Sequence, residues 1–463
     1  MRNSKNALMR CGRFFASQSN SGRVARRRIQ QDSGYRRGTI MKNQHVISGK
    51  KEATLGLLVL LGAFTAFDSI AIDIYLPAFN VIESDLNLRA GLMPVSLSVF
   101  LIGLALGQAI SGPIADGLGR RIPLLAGVVL FGAASCLVAV STNATMLMTG
   151  RLLQGIGGAT GLVIPRAIVS DLYEANQATR IYTFLIQVQS ISPILAPIIG
   201  GVILSLIGWR AIFWVLVAFA LAAWGFACFF IPETQPIQMR SRLTPAGVFK
   251  DYWEIIKNRR YLGMALSSGL IMGTLFTYIS GSSFIFMTHF GMSPTVYSIM
   301  FAAYSVGMIL VGQWNMYLCS RMSVRKNLRF GFTVHLGCLG VLLAALLLGV
   351  ENAVVVCGLL FCAISSLSFL FGGLTSEAIY CVSAQRAGTA SALLGVVQYV
   401  IGGGAGILLG LIPNGTLFPL VLLLCACSAL ALMFWRSASS LASFRIVNTT
   451  VSVATEEDRQ SVS

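Results

Sequence analysis

Apolar runs of membrane-crossing length follow one another through most of this 463-residue chain, and that succession leaves few folds open. A helix crosses a hydrocarbon core in roughly 17–25 residues. Twelve such runs can be marked, near residues 55–80, 92–114, 122–141, 144–166, 183–207, 211–231, 262–287, 296–318, 329–349, 353–376, 388–412 and 417–435. The expected fold class is an all-α membrane protein with twelve transmembrane helices. Composition agrees: 55% of residues are hydrophobic and 11% charged, where soluble domains carry about 25% charged residues.

The net charge of +17 is distributed in a way that argues against nucleic-acid binding. Residues 1–51 hold thirteen Lys/Arg and one acid, Asp32. An even number of spans puts both termini on one side. That side also receives Arg120 and Arg121, Arg180, six basic residues from Arg240 to Arg260, and Arg321, Arg325, Lys326 and Arg329. The other side receives Arg89 and Arg210. Basic residues collect in cytoplasmic loops, so both termini are expected in the cytoplasm of a multi-pass membrane protein. The 1–51 tail is Arg- and Ser-rich and not apolar, which fits a disordered basic arm attracted to anionic lipid or a transit peptide rather than a secretory signal. Met41 opens MKNQHVISGKKEATLG, an ordinary lead-in to a first span and a candidate start.

Ten cysteines and three histidines (His45, His289, His335) show no paired spacing, so neither a disulfide framework nor a metal site is expected. No G-x-x-x-x-G-K-[ST] phosphate loop and no soluble catalytic domain is found, which disfavours an ATP-driven pump and an enzyme. The longest polar connection, 232–260, separates six spans from six. It divides the chain into a tail (1–51), a first bundle (52–231), the linker (232–260), a second bundle (261–436) and a cytoplasmic tail (437–463). Gly107-Gln108 with Asp116, Arg120 and Arg121 recurs 205 residues later (325 − 120) as Gly312-Gln313 with Arg321, Arg325 and Lys326. Two related six-helix bundles around a midplane site is the repeat logic of secondary transporters.

Several motifs carry a family resemblance. GPIADGLGRRIPLL (112–125), with Gly112, Asp116, Gly119, Arg120 and Arg121, resembles the loop signature of the major facilitator superfamily between its second and third helices. RLLQGIGGA (151–159), with Arg151, Gln154 and Gly155, is similar to the family's fourth-helix motif. SPILAPIIGG (192–201), with Pro193, Pro197, Gly200 and Gly201, resembles the fifth-helix motif of its exporters, with Ala196 where glycine is usual. DIYLPAF (73–79), GWRAIFW (208–214) and RAGTASALLG (386–395) look most like the bicyclomycin/chloramphenicol (Bcr/CflA) multidrug efflux branch. The resemblance implies the major facilitator fold and proton-coupled export of amphiphilic drugs across the inner (plasma) membrane by alternating access. The alternative is the same fold exporting a metabolite such as an amino acid, sugar or siderophore. No cofactor is implied beyond the proton gradient, and the expected partners are a small-molecule substrate, protons and the bilayer, with a monomer as the working unit. The loop motif is expected to act on conformation, with Gly112 permitting close helix contact and Asp116 meeting the amino-terminal end of a neighbouring helix.

Within the first span, FTAFDSIAIDIYLPAF (64–79) carries Asp68 and Asp73. A charge at the centre of a membrane helix costs roughly 2.5–3.5 kcal/mol on insertion scales. At ~1.5 Å per residue, Asp73 lies ~10 Å below the outer edge, Asp68 ~17 Å below it, and Arg151 ~10 Å down the fourth span. The shared depth predicts an Asp73–Arg151 ion pair, read either as a permanent clip or as a proton-exchanging switch. Asp68 has no evident partner and stands as a protonated helix contact or as a drug or proton site. Candidate cavity groups are Tyr75, Gln187, Gln189, Gln398 and Tyr399, with Ser190, Phe284 and Phe286 beside them.

Overall fold

A computed structural model describes residues 55–460, apart from residues 90, 174, 236–244, 320, 383–385 and 412–415. The 1–51 tail with Met41 and His45, and Arg240 in the linker, lie outside the described residues.

The first span is not one helix. α1 (Leu55–Thr65) and α2 (Phe67–Asp73) are followed by a 3-10 turn, Leu76–Ala78, and α3 (Phe79–Asp85). The two parts of the span, Gly56–Thr65 and Phe67–Asp85, meet at 43°. Pro77 supplies one cause of the irregular stretch, because it cannot donate to the carbonyl four residues back, that of Asp73. The rest of the first half is α4 (Leu92–Leu118), α5 (Arg121–Ala139), α6 (Ala144–Leu172), α7 (Ala175–Leu206) and α8 (Trp209–Phe230). A linker helix α9 (Pro245–Ile256) precedes α10 (Arg259–Ser283), which runs into a π-helical turn, Phe284–His289. α11 (Pro294–Cys319), α12 (Val324–Leu347), α13 (Ala353–Ser366), α14 (Ser368–Ile379), α15 (Ala387–Leu411) and α16 (Phe418–Gln460) complete the chain. Among the described residues eleven spans are long and apolar enough to cross a membrane, twelve with the bent first span, and α13 and α14 count as one. The last helix continues past 436 to Gln460, into the segment 437–463.

Polar residues at the span ends start several helices. Asn143 accepts from the Met146 amide (2.9 Å), Asn258 from Arg260 (3.1 Å) and Asn352 from Val354 (2.9 Å). Each meets amide groups that an N-terminal turn leaves without helical partners. Gly119 ends α4 with φ +95°, a conformation that favours glycine.

Helices in each half pack through small residues. α4 crosses α6 where a Cβ on Gly107 would lie 2.5 Å from the Ile156 carbonyl, and α5 crosses α6 where one on Gly157 would lie 2.6 Å from that of Gly127. Without an apolar driving force between helices in lipid, close backbone approach of this kind is what holds them. The halves meet through two equivalent pairs, α4 with α15 and α7 with α11. Each joins the second span of one half to the fifth of the other. α10 is 78% buried over its span and α12 28%, which places α10 inside and α12 at the lipid face.

Candidate transport site

The halves touch at one end and part at the other. At the end away from Arg120 and Arg121, the Asn80 amide donates to Thr288 Oγ1 across the halves (3.3 Å). Ser298 Oγ donates to the Pro197 carbonyl (2.9 Å), and a Cβ on Gly410 would lie 2.7 Å from the Gly91 carbonyl. Pro197 itself has no N–H for the Pro193 carbonyl, and Ser305 donates there from the other half (3.5 Å). The fifth-helix motif thus forms part of the seal. Gly200 packs against the Ile74 carbonyl and Gly201 against Ser298. Toward the basic end, the α4–α15 contact reaches Gln108 and Gly395. Beyond it, a Cβ on Gly112 or Gly388 would meet nothing within 4 Å. The close contact expected at Gly112 is therefore not made: the helices have already diverged there.

Between the parted ends lies a cavity of about 600 Å³, lined by Gln108, Arg166, Ser170 and Gln189 from the first half and Gly388 and Ser391 from the second. Gln189 Nε2 donates to Asp68 Oδ2 (3.4 Å), and Tyr399 Oη approaches the same oxygen (3.5 Å), while Asp68 Oδ1 is buried with no partner. Asp68 thus has two long polar contacts, one from each half.

A second cavity, about 340 Å³, is lined by Asp73, Ser190 and Pro193 of the first half and Tyr278, Phe301 and Tyr304 of the second. Tyr278 and Tyr304 stack at 5.2 Å between centroids, and Tyr278 and Phe301 at 6.1 Å. Asp73 is 3% exposed, and neither a hydrogen bond nor an ion pair reaches its carboxylate among the described residues. The Tyr278 hydroxyl is also buried without a partner.

The expected Asp73–Arg151 pair is absent. Arg151 is fully buried, and its Nη1 donates to Gln154 Oε1 (2.5 Å) and to the Ala71 carbonyl at the end of α2 (3.2 Å). Its guanidinium lies 4.2 Å from the Tyr75 ring centre and 4.3 Å from that of Phe100. Gln154 passes the chain of bonds to Ser135 (2.7 Å). Depth alone suggested the pair, but azimuth decides it: Arg151 faces the interior of the first half, and Asp73 faces the second.

The other cavity candidates divide. Tyr75 is fully buried in the first half, bonded to Ser96 (3.2 Å), and does not line the site. Gln187 is exposed on α7, two residues from Gln189 and so turned about 200° away from it. Gln398 donates to Ser268 within the second half (2.8 Å). Gln189 and Tyr399 do reach the site through Asp68. Phe284 lines a small space at the closed end, and Phe286 packs on Tyr297 and Tyr304. Sequence reasoning missed Tyr278 and Tyr304, whose only signal was two tyrosines in apolar spans of the second half. It also missed the role of His335, whose ring bonds the Ala363 carbonyl (2.9 Å) and Ser428 (2.8 Å), a satisfied network inside the second half.

The loop motif holds the basic end of the first half. Arg120 binds Asp116 and, through Nε, Asp171 Oδ2 (3.1 Å), while Arg121 donates to the Cys228 carbonyl (2.6 Å). Burial works against the Arg120 cation, but its bonds to Asp116 and Asp171 outweigh that and raise its pKa. Asp116 does not meet a neighbouring helix start as expected, because the other half is splayed away; it turns back to Arg120, four residues on. Glu233 instead serves the start of α5, accepting from the Arg120 amide (2.9 Å) and the Arg121 amide (3.3 Å). Arg325 and Glu377 (3.7 Å) repeat the Arg120–Asp171 pair in the second half, offset by 205 (325 − 120) and 206 (377 − 171).

Two pseudo-equivalent helical halves, closed at one end around buried carboxylates and open at the other, are the architecture of a membrane transporter. The chain belongs to the Major Facilitator Superfamily, whose family model matches residues 58–407. The chain is 32% identical over 375 residues to the MFS-type transporter YdgK of Bacillus subtilis, covering 79% of this chain and 91% of that one. It is 27% identical over 394 residues to a bicyclomycin resistance protein homolog of Haemophilus influenzae (84% and 98% covered). To multidrug resistance protein D of Escherichia coli it is 28% identical over 398 residues (83% and 96%). These relatives are consistent with the Bcr/CflA drug:proton antiporter branch. A D-xylose-proton symporter shares the fold at TM-score 0.66 and 14% identity, covering 82% of this chain and 96% of that one. The protein is a multi-pass membrane transporter of small molecules and not an enzyme.

Proposed function

We propose that this transporter is a proton-coupled exporter of amphiphilic, drug-like compounds in the inner membrane, with its basic end and both termini in the cytoplasm. The observation that carries this reading is Asp73, a buried carboxylate with no cationic partner, beside stacked tyrosines in a cavity shared by both halves. An unpaired charge there is costly. A proton or a cationic substrate group relieves that cost, and the two compete for the carboxylate. Tyrosine faces also attract a ligand cation. In this state the site opens to the basic end, so substrate enters from the cytoplasm. Substrate displaces the proton from Asp73, the halves rock about the site, and a proton from outside expels the substrate. One proton moving inward through ~100 mV supplies ~2.3 kcal/mol, about fifty-fold in concentration for a neutral substrate; for a cation exchanged one for one the potential cancels and the pH gradient drives export. Asp68 sits between Gln189 and Tyr399 as a second proton-accepting group nearer the cytoplasmic cavity. Arg151 acts as a clamp on the bent first span, not as the partner of Asp73. The relatives named for drug resistance favour a drug over a metabolite as cargo.

The test is transport of the lipophilic cation tetraphenylphosphonium in proteoliposomes under an imposed pH gradient. Wild type accumulates it and loses accumulation when a protonophore is added, and Asp73→Asn abolishes the gradient-driven component. Accumulation that survives the protonophore would rule out proton coupling.

A further inference from the structure

A further cavity lies apart from the residues around Asp68 and Asp73. It lies at the basic end of the second half between α12 and α16, with a volume of about 850 Å³. Arg325 and Arg329 of α12 and Arg436 of α16 line it, and among the described residues no acidic one does. Glu377, 3.7 Å from Arg325, offsets one of the three charges. The inner wall is apolar, with Phe332 and Leu432.

Trp435 lines this space at 3% exposure, its ring 5.5 Å from that of Phe332, and its indole N–H has no hydrogen-bond partner. Ser439, also on the lining, has a buried hydroxyl without a partner. An indole nitrogen can only donate, so the missing partner is an acceptor. Guanidinium groups are suited to phosphate oxygens, which they bind in a fork.

We propose that this cavity holds the phosphate headgroup of an acidic phospholipid. The arginines take the phosphate oxygens, and Trp435 and Ser439 donate from the inner wall. The acyl chains lie along the flanks, where Phe330 (38% exposed) and Met433 (51%) present apolar surface on the same two helices. That surface distinguishes a lipid from a soluble phosphate. A basic pocket between spans, at the headgroup level of the positively charged side, is suited to anionic lipid. A zwitterionic headgroup brings its own ammonium against three guanidinium groups and is disfavoured.

The test uses the purified, delipidated full-length chain in neutral detergent. It is titrated with dioctanoyl phosphatidylglycerol, dioctanoyl phosphatidylcholine and inorganic phosphate, and thermal unfolding is followed. Phosphatidylglycerol is expected to raise the unfolding temperature and to bind about tenfold more tightly than phosphatidylcholine, with inorganic phosphate having no effect at equal concentration. Arg329→Gln and Arg436→Gln, both at exposed positions, each weaken binding about fivefold, the ~1 kcal/mol that one basic residue contributes near an anionic headgroup. Trp435→Phe keeps the ring packing and weakens binding as well. Equal responses to the two lipids, or a response untouched by all three substitutions, would overturn the site. A response reproduced by inorganic phosphate alone would overturn the lipid assignment.

Discussion

Gly410→Ala separates a state-specific contact from an ordinary packing contact. Its Cβ would lie 2.7 Å from the Gly91 carbonyl and 2.6 Å from Val95 Cγ2, both on the opposite half and at the closed end. Ordinary van der Waals contact begins near 3.4 Å, so the backbones must separate by several tenths of an ångström. Overpacking of this kind costs about 1–3 kcal/mol. The contact exists only while that end is shut, so the penalty falls on this state and not on the oppositely open one. A differential of that size shifts the equilibrium about 5- to 150-fold toward opening at the far end. Spin labels at positions 118 and 388, on the two halves at the basic end, report the change by pulsed dipolar spectroscopy. The long-distance population seen in wild type should fall in Gly410→Ala. Gly112→Ala, whose added carbon meets nothing here, should not lower the long-distance population. An unchanged distance distribution in folded Gly410→Ala would refute the claim that this seal belongs to one state.

Other substitutions probe separate parts of the molecule. Arg151→Met removes the bonds to Ala71 and Gln154 and should lower stability by about 2–3 kcal/mol in denaturant unfolding. Glu233→Ala strips the acceptor from the start of α5 and should cost about 1 kcal/mol in the same assay. Tyr278→Leu removes one face of the stacked pair beside Asp73; affinity for tetraphenylphosphonium should fall about 3- to 30-fold by equilibrium binding, the usual worth of a cation–ring contact.

Much of the architecture was legible in the sequence, because hydropathy reads directly as spans. The 205-residue repeat also pointed to two halves, and the Arg120–Asp171 and Arg325–Glu377 pairs show it in three dimensions. The site was less legible, for a geometrical reason. Helix rise gives depth but not azimuth once a helix breaks, and the stretch between Asp73 and Phe79 contains a turn and a proline. Arg151 and Asp73 were therefore placed at one level without any indication that they face opposite ways. Motif boundaries hid other partners. Glu233 serves the loop motif from across the sequence, and Asp85 receives Trp209 (3.0 Å) and Arg210 (2.6 Å) from the GWR segment. Tyr278 and Tyr304 carried no motif, since an aromatic in an apolar span looks the same whether it fills a core or faces a cavity.

Proton release on ligand binding is the most direct measurement of the coupling proposed for Asp73. With purified protein in weakly buffered detergent solution and a pH-sensitive dye, adding tetraphenylphosphonium should acidify the solution in wild type and in Asp68→Asn. In Asp73→Asn the proton signal should vanish while the ligand still binds. An undiminished signal from Asp73→Asn would contradict the competition of proton and substrate for that carboxylate.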